Sequence, residues 1–124
     1  STLRVLLAED NDVNADIVMD MLGSVGVKRF RAKNGMEAIE AATRHAFDVI
    51  LMDYQMPVMD GLTASKHIRQ QAKNKDKVII IALTANAYAD DKAACLAAGM
   101  NAHLSKPIRK QVLIDSIARE LARV

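Results

Sequence analysis

The stretch VILMDYQMPVMDG, Val49 to Gly61, decides how the chain is read. Val49 to Met52 is apolar at every position, the pattern of a parallel strand covered on both faces. The strand then runs into the carboxylate of Asp53. A polar loop follows, shaped by Pro57 and Gly61 and carrying a second acid, Asp60. An ionised carboxylate at the end of a buried strand is costly without a partner. Asp53 therefore needs a counter-charge, a proton or a chemical purpose.

Outward from this stretch the same grammar repeats. LRVLLA (Leu3 to Ala8) and VIIIAL (Val78 to Leu83) are further apolar strands, while KRFRAK (Lys28 to Lys33) and Ala102 to Ser105 are mixed and suit sheet edges. Helix-like segments lie between them. The first is capped by Asn11 or Asp12 and closed by Gly23 and Gly26, with Val13, Ile17, Met21 and Val25 as its expected buried stripe. Asn34-Gly35 reads as a turn before a helix over Met36 to His45. Leu62 to Ala72, Tyr88 to Ala98 and Arg109 to Arg123 complete the set, the last burying Val112, Leu113, Ile117 and Leu121. Regular alternation with short loops predicts one α/β domain over residues 1–124, an open parallel sheet with helices on both faces. Placing the three apolar strands in the middle gives the strand order 2-1-3-4-5.

The bulk numbers agree with such a domain. The chain has 124 residues, is 51% hydrophobic and only 3% aromatic, so its core is aliphatic and draws on seven Met. Met19, Met21, Met36 and Met52 read as core or semi-core filler, and Met56 and Met59 as contacts for a docking kinase. Seventeen basic against 15 acidic residues leave a charge of +2, no strong field for nucleic acid or a membrane surface. Cys95 alone forms neither an internal disulfide nor a cysteine metal cluster; it reads as a buried apolar residue and fits a reducing cytoplasm. No apolar run approaches the roughly 18 residues of a membrane span, and no signal peptide opens the chain. Ser1-Thr2 without Met is expected of a trimmed chain or a piece of a longer protein.

In an open parallel sheet, ligands bind beyond the carboxyl ends of the strands, where the strand order reverses. Those ends carry Glu9 and Asp10, Asp53, Thr84 and Lys106. Crowded carboxylates repel, about 4 kcal/mol for two charges about 4 Å apart at an effective dielectric near 20, and one lysine offsets part of this. A divalent cation completes the balance. Hard oxygen ligands, few of them from protein, suit Mg²⁺, with Mn²⁺ as a substitute. Cation, lysine and hydroxyl together make a place for a phosphoryl group, with Asp53 as the nucleophile. Each residue alone is more often a cap or a surface charge; the signal lies in the set.

At these residues the chain resembles the receiver domain of two-component response regulators. LLAEDN, VILMDYQMPVMDG, IALTANA and LSKPI match that family's blocks in order and spacing. The wording DYQMPVMDG, LTANA and CLAAGM is similar to receivers of hybrid sensor histidine kinases. The resemblance implies a flavodoxin-like (βα)5 fold and a phosphorelay role. Asp53 would take a phosphoryl group from a phosphohistidine on a histidine kinase or histidine phosphotransfer domain. Glu9, Asp10, Asp53 and the main-chain carbonyl of Gln55 would hold Mg²⁺. Lys106 and Thr84 would bind phosphoryl oxygens, and the fourth helix, fifth strand and fifth helix would form the output surface, with Tyr88 beside it. The family's switch aromatic, three residues before the lysine, is His103 here. That histidine is read as a partly buried, hydrogen-bonded edge residue that leaves Thr84 to carry the movement. The resemblance also implies a monomer or weak dimer in the cytoplasm, without direct nucleic-acid or membrane contact.

The principal alternative is a Mg²⁺-dependent phosphatase that passes through an aspartyl phosphate. Such an enzyme places a general acid and base two residues after its nucleophile, where this chain has Gln55. Gln55 and Asn86 are instead placed to gate the attacking water. A flavin or nucleotide module would want a glycine- or hydroxyl-rich loop after the first strand, and AEDND is acidic.

Overall fold

Five strands and five helices alternate along the described residues: β1 (Arg4–Ala8), α1 (Asp12–Gly23), β2 (Lys28–Ala32), α2 (Gly35–Arg44), β3 (Val49–Asp53), α3 (Gly61–Gln71), β4 (Ile79–Thr84), α4 (Ala89–Ala97), β5 (Ala102–Ser105) and α5 (Lys110–Ala122). The computed structural model describes residues 3–56, 58–85 and 89–123, the side chains of residues 89–92 excepted. Ser1-Thr2, Pro57, Asn86 and Tyr88 lie outside the described residues.

All strand pairs are parallel and the order is β2-β1-β3-β4-β5, as the patterning predicts. Successive side chains point to opposite faces, so each central strand feeds two cores. Leu6, Ile50, Met52 and Ile80 pack with Ala38 and Ala42 of α2 and Ala64 and Ile68 of α3, together with Cys95 and Met100. Val5, Leu7, Leu51, Ile81 and Leu83 pack on the other face with α1 and α5. Cys95 is buried at 3% exposure, as expected. No described helix is long and apolar enough to cross a membrane.

The helix faces depart from the periodicity reading in three places. On α1 the buried residues are Ala15, Val18 and Leu22, while Val13 and Ile17 are 67% and 50% exposed and Val25, past its end, is also exposed. Both stripes are apolar, and the one carrying small Ala15 lets the helix sit against the sheet. Val112 and Met36 are exposed as well. Asn34-Gly35 is not a turn outside the helix. Asn34 caps α2 by accepting the Glu37 N–H at 2.9 Å, and the Glu37 carboxylate accepts the Lys33 N–H at 2.8 Å, a reciprocal capping arrangement.

The amino edge of the sheet is tied by Arg69 of α3. Its guanidinium donates to the carbonyls of Lys75 and Val78 (both 2.7 Å) and Gly99 (2.8 Å), and to Asn101 Oδ1 (2.7 Å). Asn101 Oδ1 also accepts the Ile80 N–H at 2.8 Å. One side chain thus joins α3, the start of β4 and the turn into β5. Arg69→Leu deprives three carbonyls of their donor and should lower unfolding stability by about 2–3 kcal/mol, read as a lower urea midpoint with an unchanged slope.

Candidate functional site

Parallel pairing brings the carboxyl ends of β1, β3, β4 and β5 to one edge, and the sequence sets a polar group at each. Past β1, the Glu9 N–H extends the ladder to the Ala32 carbonyl at 3.0 Å, and Asn11 caps α1 by accepting the Asn14 N–H at 2.9 Å. Asp53 is itself the last residue of β3, across from Leu83. The loop after it doubles back at once: the Gly61 N–H bonds the Tyr54 carbonyl at 3.0 Å, and any Cβ at Gly61 would strike the Asp53 carbonyl. Asp60, the second acid of the opening stretch, is exposed and caps α3 through the Thr63 N–H at 2.8 Å. It takes no part in the carboxylate cluster.

Lys106 closes the edge. Its N–H bonds the Thr84 carbonyl at 2.7 Å, and its ammonium lies 3.0 Å from Asp53 Oδ1 and 3.3 Å from Glu9 Oε1. Glu9 and Asp53 are 2% and 3% exposed, so two buried acids share one half-buried counter-charge. Burial, then the neighbouring Asp53, raise the Glu9 carboxyl above its usual range, against the Asn11 N–H and Lys106. Burial alone would pull the Lys106 ammonium down; its bonds to Asp53 and Glu9 outweigh that and hold it above the ordinary lysine value.

Glu9, Asp10 and Asp53 each bring a carboxylate oxygen within 4.8 Å of the others. They line a cleft of about 250 Å³ with Asn11, Asn14, Tyr54, Gln55, Ala85 and Lys106. Three carboxylates against one ammonium leave excess negative charge in a mostly buried place. Hard oxygens so spaced, with a raised Glu9 in want of a cation, fit Mg²⁺. Gln55 is exposed, lines the cleft and donates its N–H to Asp53 Oδ1 at 3.4 Å.

Thr84 ends β4, buried at 3% exposure, and is not among the lining residues. His103 sits on β5 opposite Ala82, half-buried, and lines a separate cleft with Lys106, Pro107 and Val112. Its side chain makes no hydrogen bond among the described residues, contrary to expectation, because it stands on the outer strand of the sheet. Met56 and Met59 are half-buried against the α2–α3 core, which makes them packing residues first.

At this edge, Arg31 is the residue that the sequence pattern does not single out. Arg31, on β2, donates Nε and Nη2 to the Glu9 carbonyl (3.2 and 2.9 Å) and Nη1 to Asp12 Oδ1 (2.8 Å). The available signal was a basic residue one step before the end of the strand that flanks β1.

Comparison with known proteins accords with this geometry. The response regulator receiver domain family matches residues 5–118. Hybrid signal transduction histidine kinase B of Dictyostelium discoideum is 42% identical over 129 residues, covering 95% of this chain and 7% of its own length. Sensor protein GacS of Pseudomonas syringae is 37% identical over 118 residues, 94% of this chain and 13% of its own length. The chain thus spans a small fraction of the curated relatives it matches. Among solved structures, the receiver domain of a Pseudomonas aeruginosa sensor histidine kinase, with a magnesium ion coordinated in its active-site cleft, has a TM-score of 0.90 at 41% identity, covering 98% of this chain and 99% of that one. The receiver domain of a Saccharomyces cerevisiae response regulator, co-crystallised with its histidine phosphotransfer signalling protein, has a TM-score of 0.87 at 34% identity, covering 94% and 87%.

The raised Glu9 has a testable sign. A carboxyl raised by folding adds stability below its unfolded value and loses it as pH climbs through the folded one. Without metal, and at pH above the folded value, ionised Glu9 therefore costs stability relative to its protonated form. Glu9→Gln should raise the melting temperature in chelator, by about 1 kcal/mol of stability, and lose most of the rise that magnesium chloride gives the wild type. For the wild type, that magnesium-induced rise should shrink as pH falls and Glu9 takes up a proton.

Proposed function

The chain belongs to the response regulator receiver domain family of two-component phosphorelays, and from that premise we propose that Asp53 is its phosphoacceptor. The donor is a phosphohistidine on a partner histidine kinase or histidine phosphotransfer domain. A carboxylate oxygen of Asp53 attacks phosphorus, the P–N bond breaks, and the leaving imidazole takes up a proton. Lys106 and the Gln55 N–H both engage Oδ1, so Oδ2 is the oxygen offered to phosphorus.

Glu9, Asp10, Asp53 and the Gln55 main-chain carbonyl hold Mg²⁺ in this reading, with Mn²⁺ as a substitute. When bound, the ion supplies positive charge against the oxygens of the transferring group. Lys106 exchanges part of its contact with Asp53 for a phosphoryl oxygen. Thr84 turns its hydroxyl to another, and α4, β5 and α5 respond as the output surface, with His103 at its edge. Phosphorylation adds close to two negative charges at neutral pH, enough to bias a two-state element. A place within a cytoplasmic hybrid kinase or larger regulator, as a monomer or weak dimer, belongs to the same proposal. The phosphatase alternative finds no support at Gln55, an amide where turnover would need an acid.

The observation that carries this reading is the convergence of Glu9, Asp10 and Asp53 on one cleft with Lys106 bonded to two of them. A small acyl phosphate donor with magnesium chloride should add one phosphate to the wild type by intact-mass measurement. The adduct should be labile to hydroxylamine and absent in chelator or in Asp53→Asn. Equal labelling of Asp53→Asn would remove Asp53 from this role.

A further inference from the structure

We propose that Arg31 is a positioning residue for the metal-binding acids, an inference that rests on the magnesium reading of the Glu9–Asp10–Asp53 cleft. β1 ends at Ala8, so Glu9 and Asp10 project from a segment that no longer has a strand partner on both sides. β2 supplies what is missing. The Glu9 N–H is held by the Ala32 carbonyl at 3.0 Å, and the Glu9 carbonyl by Arg31 Nε and Nη2 at 3.2 and 2.9 Å. The Glu9 carbonyl and the Asp10 N–H share one peptide plane. Fixing the carbonyl thus fixes the direction in which the chain delivers Asp10 as well as Glu9.

The third contact sets the fork. Arg31 Nη1 meets Asp12 Oδ1 at 2.8 Å, with Asp12 77% exposed and Arg31 20% exposed in their side chains. An ion pair so open to water contributes little by itself; here it aims the guanidinium so that its other edge faces the Glu9 carbonyl. A planar group with several fixed N–H donors can hold that carbonyl and Asp12 at once, and an ammonium cannot reproduce the geometry.

Charge and geometry predict opposite outcomes, which makes the inference testable. As a charge alone, Arg31 repels a divalent cation, so its loss would tighten magnesium binding, and loss of Asp12 would weaken it. As a positioning group, its loss weakens binding. Magnesium chloride is titrated calorimetrically into wild type, Arg31→Gln, Arg31→Lys and Asp12→Asn, each confirmed as folded by circular dichroism. Arg31→Gln is expected to bind about tenfold more weakly, in line with losses of groups that orient metal ligands. Arg31→Lys should fall about threefold and Asp12→Asn less than about twofold. Labelling of Arg31→Gln by the acyl phosphate donor should recover at saturating magnesium, a shift in the metal requirement rather than in the maximal rate. Arg31→Gln binding as tightly as wild type, or more tightly, overturns the inference. Should Arg31→Gln not fold, Arg31→Lys decides on the same criterion. A wild type that binds no magnesium overturns the cleft reading instead, and this inference with it.

Discussion

Lys106 Nζ stands between two carboxylates, 3.0 Å from Asp53 and 3.3 Å from Glu9, at an edge where both acids are almost wholly shielded from water. Two carboxylates so placed need a counter-charge, and removing the one cation bonded to both would be strongly destabilising. The ammonium makes the arrangement possible, yet it is one charge against three acids. The protein therefore holds a standing deficit of positive charge in a cleft open to solvent. In the proposed reading a bound cation offsets this imbalance. The proposed cation site and a local cost in stability thus coincide in one group of atoms.

The architecture keeps that imbalance local. Parallel strands buried on both faces carry apolar side chains along their length and can place charge only at their ends. Caps do the rest: Asn11 starts α1 directly beyond the acid pair, and Asp60 starts α3 directly beyond the Asp53 loop. Each acid in these loops has a different fate according to where its helix begins. Glu9 and Asp53 turn inward, Asp10 lies at the rim, and Asp60 faces solvent as a cap. Gly61 admits a tight return that a larger residue would push away from Asp53.

The fold and the cluster were legible because both are written in local pattern. Unbroken apolar runs such as Val49–Met52 mark central strands, and a polar residue at the close of each run marks the edge where chemistry collects. What escaped was decided by three-dimensional choice between equivalent options. Two adjacent stripes of α1 are apolar, and nothing in the spacing says that Ala15 and Val18 win over Val13 and Ile17. Arg31 and Arg69 look like ordinary basic residues of an edge strand and a helix. Their partners are main-chain carbonyls 22 and 30 residues away for Glu9 and Gly99, and carbonyls carry no side-chain signature. Asn34-Gly35 suits both a turn and a helix start, and only Glu37 three residues on distinguishes them.

The bond between Lys106 and Glu9 joins residues 97 positions apart. A ribosome-bound fragment ending before β5 therefore holds the acids but lacks their ammonium. The cleft thus closes only after every central strand of this sheet has emerged. Fraying of β5, which leads directly into Lys106, would likewise take the ammonium from both acids at once.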